Sequence, residues 1–155
     1  MKILFPVVRS SSVSSVLAPL LQNMVKTFKA ELYVLNVEPS ADLHFRVRLK
    51  EAEEWLKKFI AEHVTKVTVH KSQVLPGDPA DEILKYVDEH GIDCIFIGTH
   101  GTRGLGSVLF GTVAKTIVGK SPVPVITVNP FLMTEDFKKR NATYLGKMLA
   151  EEPTK

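Results

Sequence analysis

Cysteine is almost missing: Cys94 is the only one, so no disulfide can close within the chain and no thiolate cluster can bind a metal. Its place inside an apolar run marks a buried thiol rather than a nucleophile, and without a disulfide framework the cytoplasm is the default compartment. No apolar stretch approaches the roughly 18 residues that a membrane-spanning helix requires, so no membrane partner is expected. Met1 to Val8 begin as a signal peptide would, but Pro6 and Arg9 interrupt them and no small-residue cleavage site follows. Neither sign of charge prevails, because 20 Lys and Arg stand against 17 Asp and Glu for a formal charge of +3. That excess is too weak and too dispersed to attract nucleic acid. The 5 histidines, His44, His63, His70, His90 and His100, show no i, i+4 pairing and have no cysteine partner, so no metal site is expected.

What remains is ordinary globular material, 155 residues with 45% hydrophobic and 24% charged. A chain of that size buries about 70% of its unfolded surface, enough for one domain with a real core. Ile3 to Val8 is an almost wholly apolar run that gives way to Arg9 and a serine-rich stretch, as a buried strand passes into a loop and helix cap. Val16, Leu17, Leu20, Leu21, Met24, Val25 and Phe28 then keep one helical face apolar; Pro19 should kink that helix or set its first turn. Leu32 to Val37 is a second buried strand, and Leu49, Ala52, Leu56, Phe59 and Ile60 recur at helical spacing. Val67 to Val74 alternates less cleanly, as a more exposed strand does. Asp78 can cap a third helix with Pro79 at its first position and His90-Gly91 at its close. Asp93 to Ile97 and Pro122 to Val128 complete the strands, with a helix from Thr112 to Val118 between them.

Strands alternating with helices need right-handed crossovers between parallel neighbours. The expected fold is α/β, a doubly wound five-stranded parallel sheet over residues 1–130. Residues 131–155 form an extra tail in which Phe137, Tyr144, Leu145, Met148 and Leu149 suit one amphipathic helix.

Ligands of an open parallel sheet sit beyond the carboxyl ends of the strands, where the winding reverses. The loop after the fourth strand carries Gly98 and Gly101, which let backbone approach an anion, and Gly111-Thr112 stands where the next helix presents free N–H groups. The Thr112 hydroxyl can bond a phosphate oxygen and Arg103 can add charge. His100 lies in the same loop and offers its backbone N–H.

Gly98, Gly101, Gly111 and Thr112 satisfy G-x2-G-x9-G-[ST] without a gap, and Pro122 to Val128 follows as the last strand. With Lys2 to Pro6, Leu32 to Val37 and Gly77 to Ile83, this resembles the universal stress protein family, nucleotide-binding type, over residues 1 to about 129. The resemblance implies a Rossmann-like fold of the adenine nucleotide alpha hydrolase kind and a homodimer through the last strand. It further implies ATP or AMP in the cleft, with Mg²⁺ accompanying ATP. It places the base and ribose against Pro6, Val7, Val8 and Val37, with Ile97 and Val113 beside the motif residues. Binding members commonly carry an Asp where this chain has Val8. Recognition there then rests on backbone groups, at a cost of about 1–3 kcal/mol for the lost polar contact.

The implied role is regulatory, with at most slow ATP hydrolysis, since no base or nucleophile stands in the right loops. A different reading is a nucleotide-free dimeric module of the same fold that binds a protein partner. Ala114 to Ser121 fits a permissive phosphate-loop pattern, but it ends a helix where such a loop must open one. Gly119-Lys120 reads instead as that helix's C-cap. A nicotinamide enzyme is disfavoured by the glycine order, and Glu38 is the one acid standing where a ribose contact could come from the second strand.

Overall fold

In the computed structural model, residues 1–9, 13–39, 44–99, 111–130 and 134–140 are described. The apolar runs form parallel strands: β1 (Lys2–Val7), β2 (Glu31–Glu38), β3 (Val69–Pro76), β4 (Cys94–Gly98) and β5 (Val125–Val128). Between them lie α1 (Val13–Thr27), α2 (Phe45–His63), α3 (Pro79–His90) and α4 (Thr112–Lys120), and α5 (Glu135–Arg140) follows the sheet. Strand order is β3-β2-β1-β4-β5, so the winding reverses between β1 and β4. Register runs from Lys2↔Glu31 to Val7↔Asn36 across β1 and β2, and from Ile95↔Val125 to Gly98↔Val128 across β4 and β5.

Alternation along each strand assigns its side chains to two cores. Ile3, Phe5, Val34 and Phe96 meet Leu17 and Leu21 of α1 and Phe59 of α2, with the Phe5 and Phe96 rings edge to face at 6.0 Å. Leu4, Leu35, Ile95 and Ile97 meet Ile83 and Tyr86 of α3 and Ile117 of α4. Each large apolar side chain fully buried this way contributes about 1.5–3 kcal/mol. The fold is therefore the expected doubly wound α/β sheet, with α1 and α2 on one face and α3 and α4 on the other.

Local chemistry explains the element ends. The Asp78 carboxylate accepts from the Asp81 N–H at 3.0 Å, Pro79 occupies the first turn, and Gly91 closes α3 in the left-handed conformation at φ 59°. Gln22, buried on α1, donates to the His63 carbonyl at 2.9 Å and accepts from the Lys66 N–H at 2.7 Å. It thereby satisfies an orphan carbonyl at the end of α2.

Two expectations need correction and one, for Pro19, is narrowed to the helix interior. The third strand runs from Val69 to Pro76 rather than 67 to 74; it is a sheet edge, where alternation is weakly enforced and a proline is tolerated. Pro19 lies in the body of α1, past the first turn. Gly119 does not cap α4, which continues to Lys120 with Ser121 as its C-cap. The Ser121 N–H donates to the Ile117 carbonyl at 2.8 Å, and its hydroxyl accepts from the Val123 N–H at 3.2 Å, turning the chain. In the tail, α5 spans Glu135–Arg140; Tyr144, Leu145, Met148 and Leu149 lie outside the described residues. No described helix is long and apolar enough to cross a membrane.

Candidate functional site

Because all five strands are parallel, their carboxyl ends share one edge of the sheet, and a cavity of about 780 Å³ opens there at the β1/β4 reversal. Pro6, Val7, Val8, Val37, Ile97, Gly98, Gly111, Thr112 and Val113 all line it. Three remaining candidates, His100, Gly101 and Arg103, lie outside the described residues. The volume is in the usual range for a small-molecule site.

One wall is the start of α4. Gly111 is its N-cap and makes no side-chain cap bond, so the first N–H groups of the helix have no intrahelical acceptor and face the cleft with the positive end of the helix dipole. Thr112 is exposed, and its carbonyl accepts from the Thr116 hydroxyl at 2.9 Å. Gly98, at the end of β4, is required by packing: a Cβ there would stand 2.3 Å from Val13 Cγ1 and 2.7 Å from Leu17 Cδ1 on α1. Its neighbour Thr99 donates its N–H to the Val128 carbonyl at 2.9 Å, which ties the end of β4 to β5.

The opposite wall is built by β1, β2 and α2. Asn36, 2% exposed, donates Nδ2 to the Val7 carbonyl at 2.9 Å, which engages one of the backbone groups offered by the end of β1. Its Oδ1 is buried without a hydrogen-bond partner. Val8 is 44% exposed and offers only a hydrocarbon surface. Arg9 pairs with Glu38 and Glu51, each at 3.7 Å. Arg48 and Trp55 of α2 also reach the cavity.

Asn36 is recognisable in hindsight as the one polar residue in the run Leu32 to Val37. Arg48 and Trp55 carry no such signal, because the polar sequence of α2 does not show which of its side chains face the cleft. Cys94 stands at the opposite, amino end of β4. It is 2% exposed, and burial first, then the Asp93 carboxylate, push its thiol pKa up, as fits a structural thiol rather than a nucleophile.

An α/β sheet wound in both directions from β1, with a glycine-fronted helix terminus at its reversal point, defines a fold of the Rossmann-like class. The universal stress protein family profile matches residues 1–129, and the chain belongs to that family. Universal stress protein MJ0531 of Methanocaldococcus jannaschii is 34% identical, over 68% of this chain and 69% of that one. The solved structure of MJ0577, from the same organism, is 28% identical with a TM-score of 0.63, covering 83% of this chain and 94% of that one. A universal stress protein from Archaeoglobus fulgidus, solved in complex with dAMP, shares the fold at 21% identity and a TM-score of 0.60, covering 82% and 96%.

Proposed function

We propose that this chain binds an adenine nucleotide, ATP or AMP, in the cleft and serves a regulatory role. The phosphates would lie against the start of α4 at Gly111 and Thr112 and against the loop holding Gly101. The base and ribose would lie toward Pro6 to Val8, Val37 and Ile97. The observation that carries this reading is convergence: the ends of β1, β2 and β4 and the start of α4 meet at one cavity, with the N-terminal turn of α4 on one wall and mixed apolar and charged surface on the other. The dAMP complex of the Archaeoglobus relative supports the ligand class.

Hydrolysis would be slow. Among the described lining residues Glu38 is the one carboxylate, it stands at the β2 side away from the α4 wall, and no histidine is present, so nothing described is poised beside the phosphates to activate water. Mg²⁺ would then be held chiefly by the phosphates of ATP. Assembly would be a homodimer through β5, which forms a sheet edge with all four residues only partly buried.

The test is to denature freshly purified protein, identify released nucleotide by chromatography, and titrate ATP and AMP calorimetrically into the emptied protein. About one adenine nucleotide per chain, or saturable binding lost in a folded Gly101→Val variant, is expected. No release and no binding at millimolar ATP would instead favour a nucleotide-free dimeric module that acts through a protein partner.

A further inference from the structure

Three charged residues, Arg9, Glu38 and Arg48, line the cavity where β1, β2 and α2 meet, and Glu51 stands beside Arg9. Arg9 follows β1, Glu38 ends β2, and Arg48 and Glu51 belong to the first part of α2. Arg9 holds them together: Nη1 lies 3.7 Å from Glu38 Oε1, Nη2 lies 3.7 Å from Glu51 Oε2, and Nη1 donates to the Arg48 carbonyl at 3.4 Å. Arg48 in turn donates Nη2 to the Pro39 carbonyl at 3.0 Å, just beyond Glu38.

The two carboxylates differ in setting. The Glu51 side chain is 57% exposed, whereas that of Glu38 is 12% exposed and lines the cavity. At 3.7 Å the guanidinium offsets the Glu38 charge from beyond hydrogen-bond distance, so the carboxylate keeps its lone pairs for a donor.

Position along the sheet edge gives the cleft a polarity. β2 and β4 flank β1, so about 10 Å, two strand spacings, separates the end of β2 from the end of β4. Donors are concentrated at the α4 side and the carboxylate at the β2 side. A nucleotide has the complementary arrangement, acceptor oxygens on its phosphates and donor hydroxyls on its ribose. In the dinucleotide-binding members of the doubly wound class an Asp or Glu about 20 residues past the first βα turn holds a ribose hydroxyl, so a carboxylate is a chemically apt partner for one. Here the Val8 side chain, just past β1, supplies no acceptor, and the Val7 carbonyl already accepts from Asn36.

Resting on the nucleotide reading above, we infer that Glu38 is the sugar-recognising residue of this chain, accepting from the ribose hydroxyls. Arg9 is its positioning residue, bridging β2 and α2.

The test compares ATP, 2′-deoxyATP and 2′,3′-dideoxyATP by calorimetry on the wild type and on Glu38→Ala, Glu38→Gln and Arg9→Gln, with circular dichroism to verify folding. Wild type should bind ATP at least about tenfold more tightly than the dideoxy analogue, the size of a hydrogen bond to a charged group. Glu38→Ala should reduce that ratio to near one while leaving dideoxyATP affinity within about twofold. Glu38→Gln, which preserves packing, should retain only part of the preference and keeps the comparison available if the alanine variant does not fold. Arg9→Gln should shrink the ratio; an equal loss for all three ligands would place Arg9 on the phosphates and overturn its positioning role. Equal wild-type affinity for ATP and dideoxyATP, or a preference that survives in Glu38→Ala, overturns the Glu38 assignment alone. Absence of any nucleotide binding overturns the functional reading and this inference with it.

Discussion

Replacing Gly98 by alanine adds one carbon where α1 crosses the end of β4. That carbon would meet Val13 Cγ1 at 2.3 Å and Leu17 Cδ1 at 2.7 Å, about 1 Å inside the ~3.5 Å at which carbons rest together. Leu17 can swing its terminal methyl aside by changing rotamer. Val13 has no such freedom, being β-branched within a helix and 8% exposed, so the helix itself has to move. Overpacking of this kind costs about 1–3 kcal/mol, and two contacts this short place the expectation at roughly 2–3. For a chain of this length that lowers the melting midpoint by roughly 4–12 °C.

Urea unfolding of four proteins forms the assay: wild type, Gly98→Ala, Val13→Ala and the double variant. Val13→Ala alone should cost roughly 1.5 kcal/mol for its lost methyl groups. In the double variant the new Cβ fills space that Val13 has vacated, so the two costs should fall short of additivity by about 1–3 kcal/mol. A Gly98→Ala protein as stable as wild type, or strictly additive costs, would refute the claim that packing against α1 requires glycine there.

Two further outcomes follow from particular residues. Gly119 lies inside α4 with ordinary backbone geometry and nothing within 4 Å of the place its Cβ would occupy, so Gly119→Ala should raise stability by about 0.5–1 kcal/mol in the same urea assay. Tyr86 is 1% exposed and its hydroxyl has no partner; burial, then the neighbouring Tyr33, push its pKa from the usual 10.0 up to about 12. Below pH 10 both folded and unfolded chains keep that proton and the stability is whole. Between about pH 10 and 12 the unfolded chain releases the proton that the folded chain holds, so stability falls as pH rises. Tyr86→Phe should flatten that part of the stability profile and cost nothing at neutral pH; an unchanged alkaline slope would show that other groups cause it.

The central strands could be read from residues alone, because β1, β2 and β4 are buried on both faces and leave nearly continuous apolar runs. Legibility declined at β3, whose outward edge removes the demand for strict alternation. It failed at Gly119, since a glycine in a helix resembles a stop signal while the actual stop is the hydrogen-bonded turn at Ser121. The glycine pattern around the cleft was visible because close backbone approach leaves its mark in residue type. The α2 side was not, because Arg48 and Trp55 are ordinary residues until tertiary packing brings them to the cleft. Gly98 shows both aspects: its spacing belongs to the motif, but its Cβ position is closed by a helix that the spacing does not mention.

The chain has 1 tryptophan, and the fold places it in the cavity wall. The Trp55 ring leans on Phe59 at 5.2 Å in the first core, so one fluorophore touches both the cleft and the packed interior. Excited at the red edge of its absorption, this protein carries its own optical gauge of occupancy. Its emission should shift on dehydration of the cleft by a bound molecule and on hydration of the core when the sheet comes apart, with no dye attached and no second tryptophan to blur the signal.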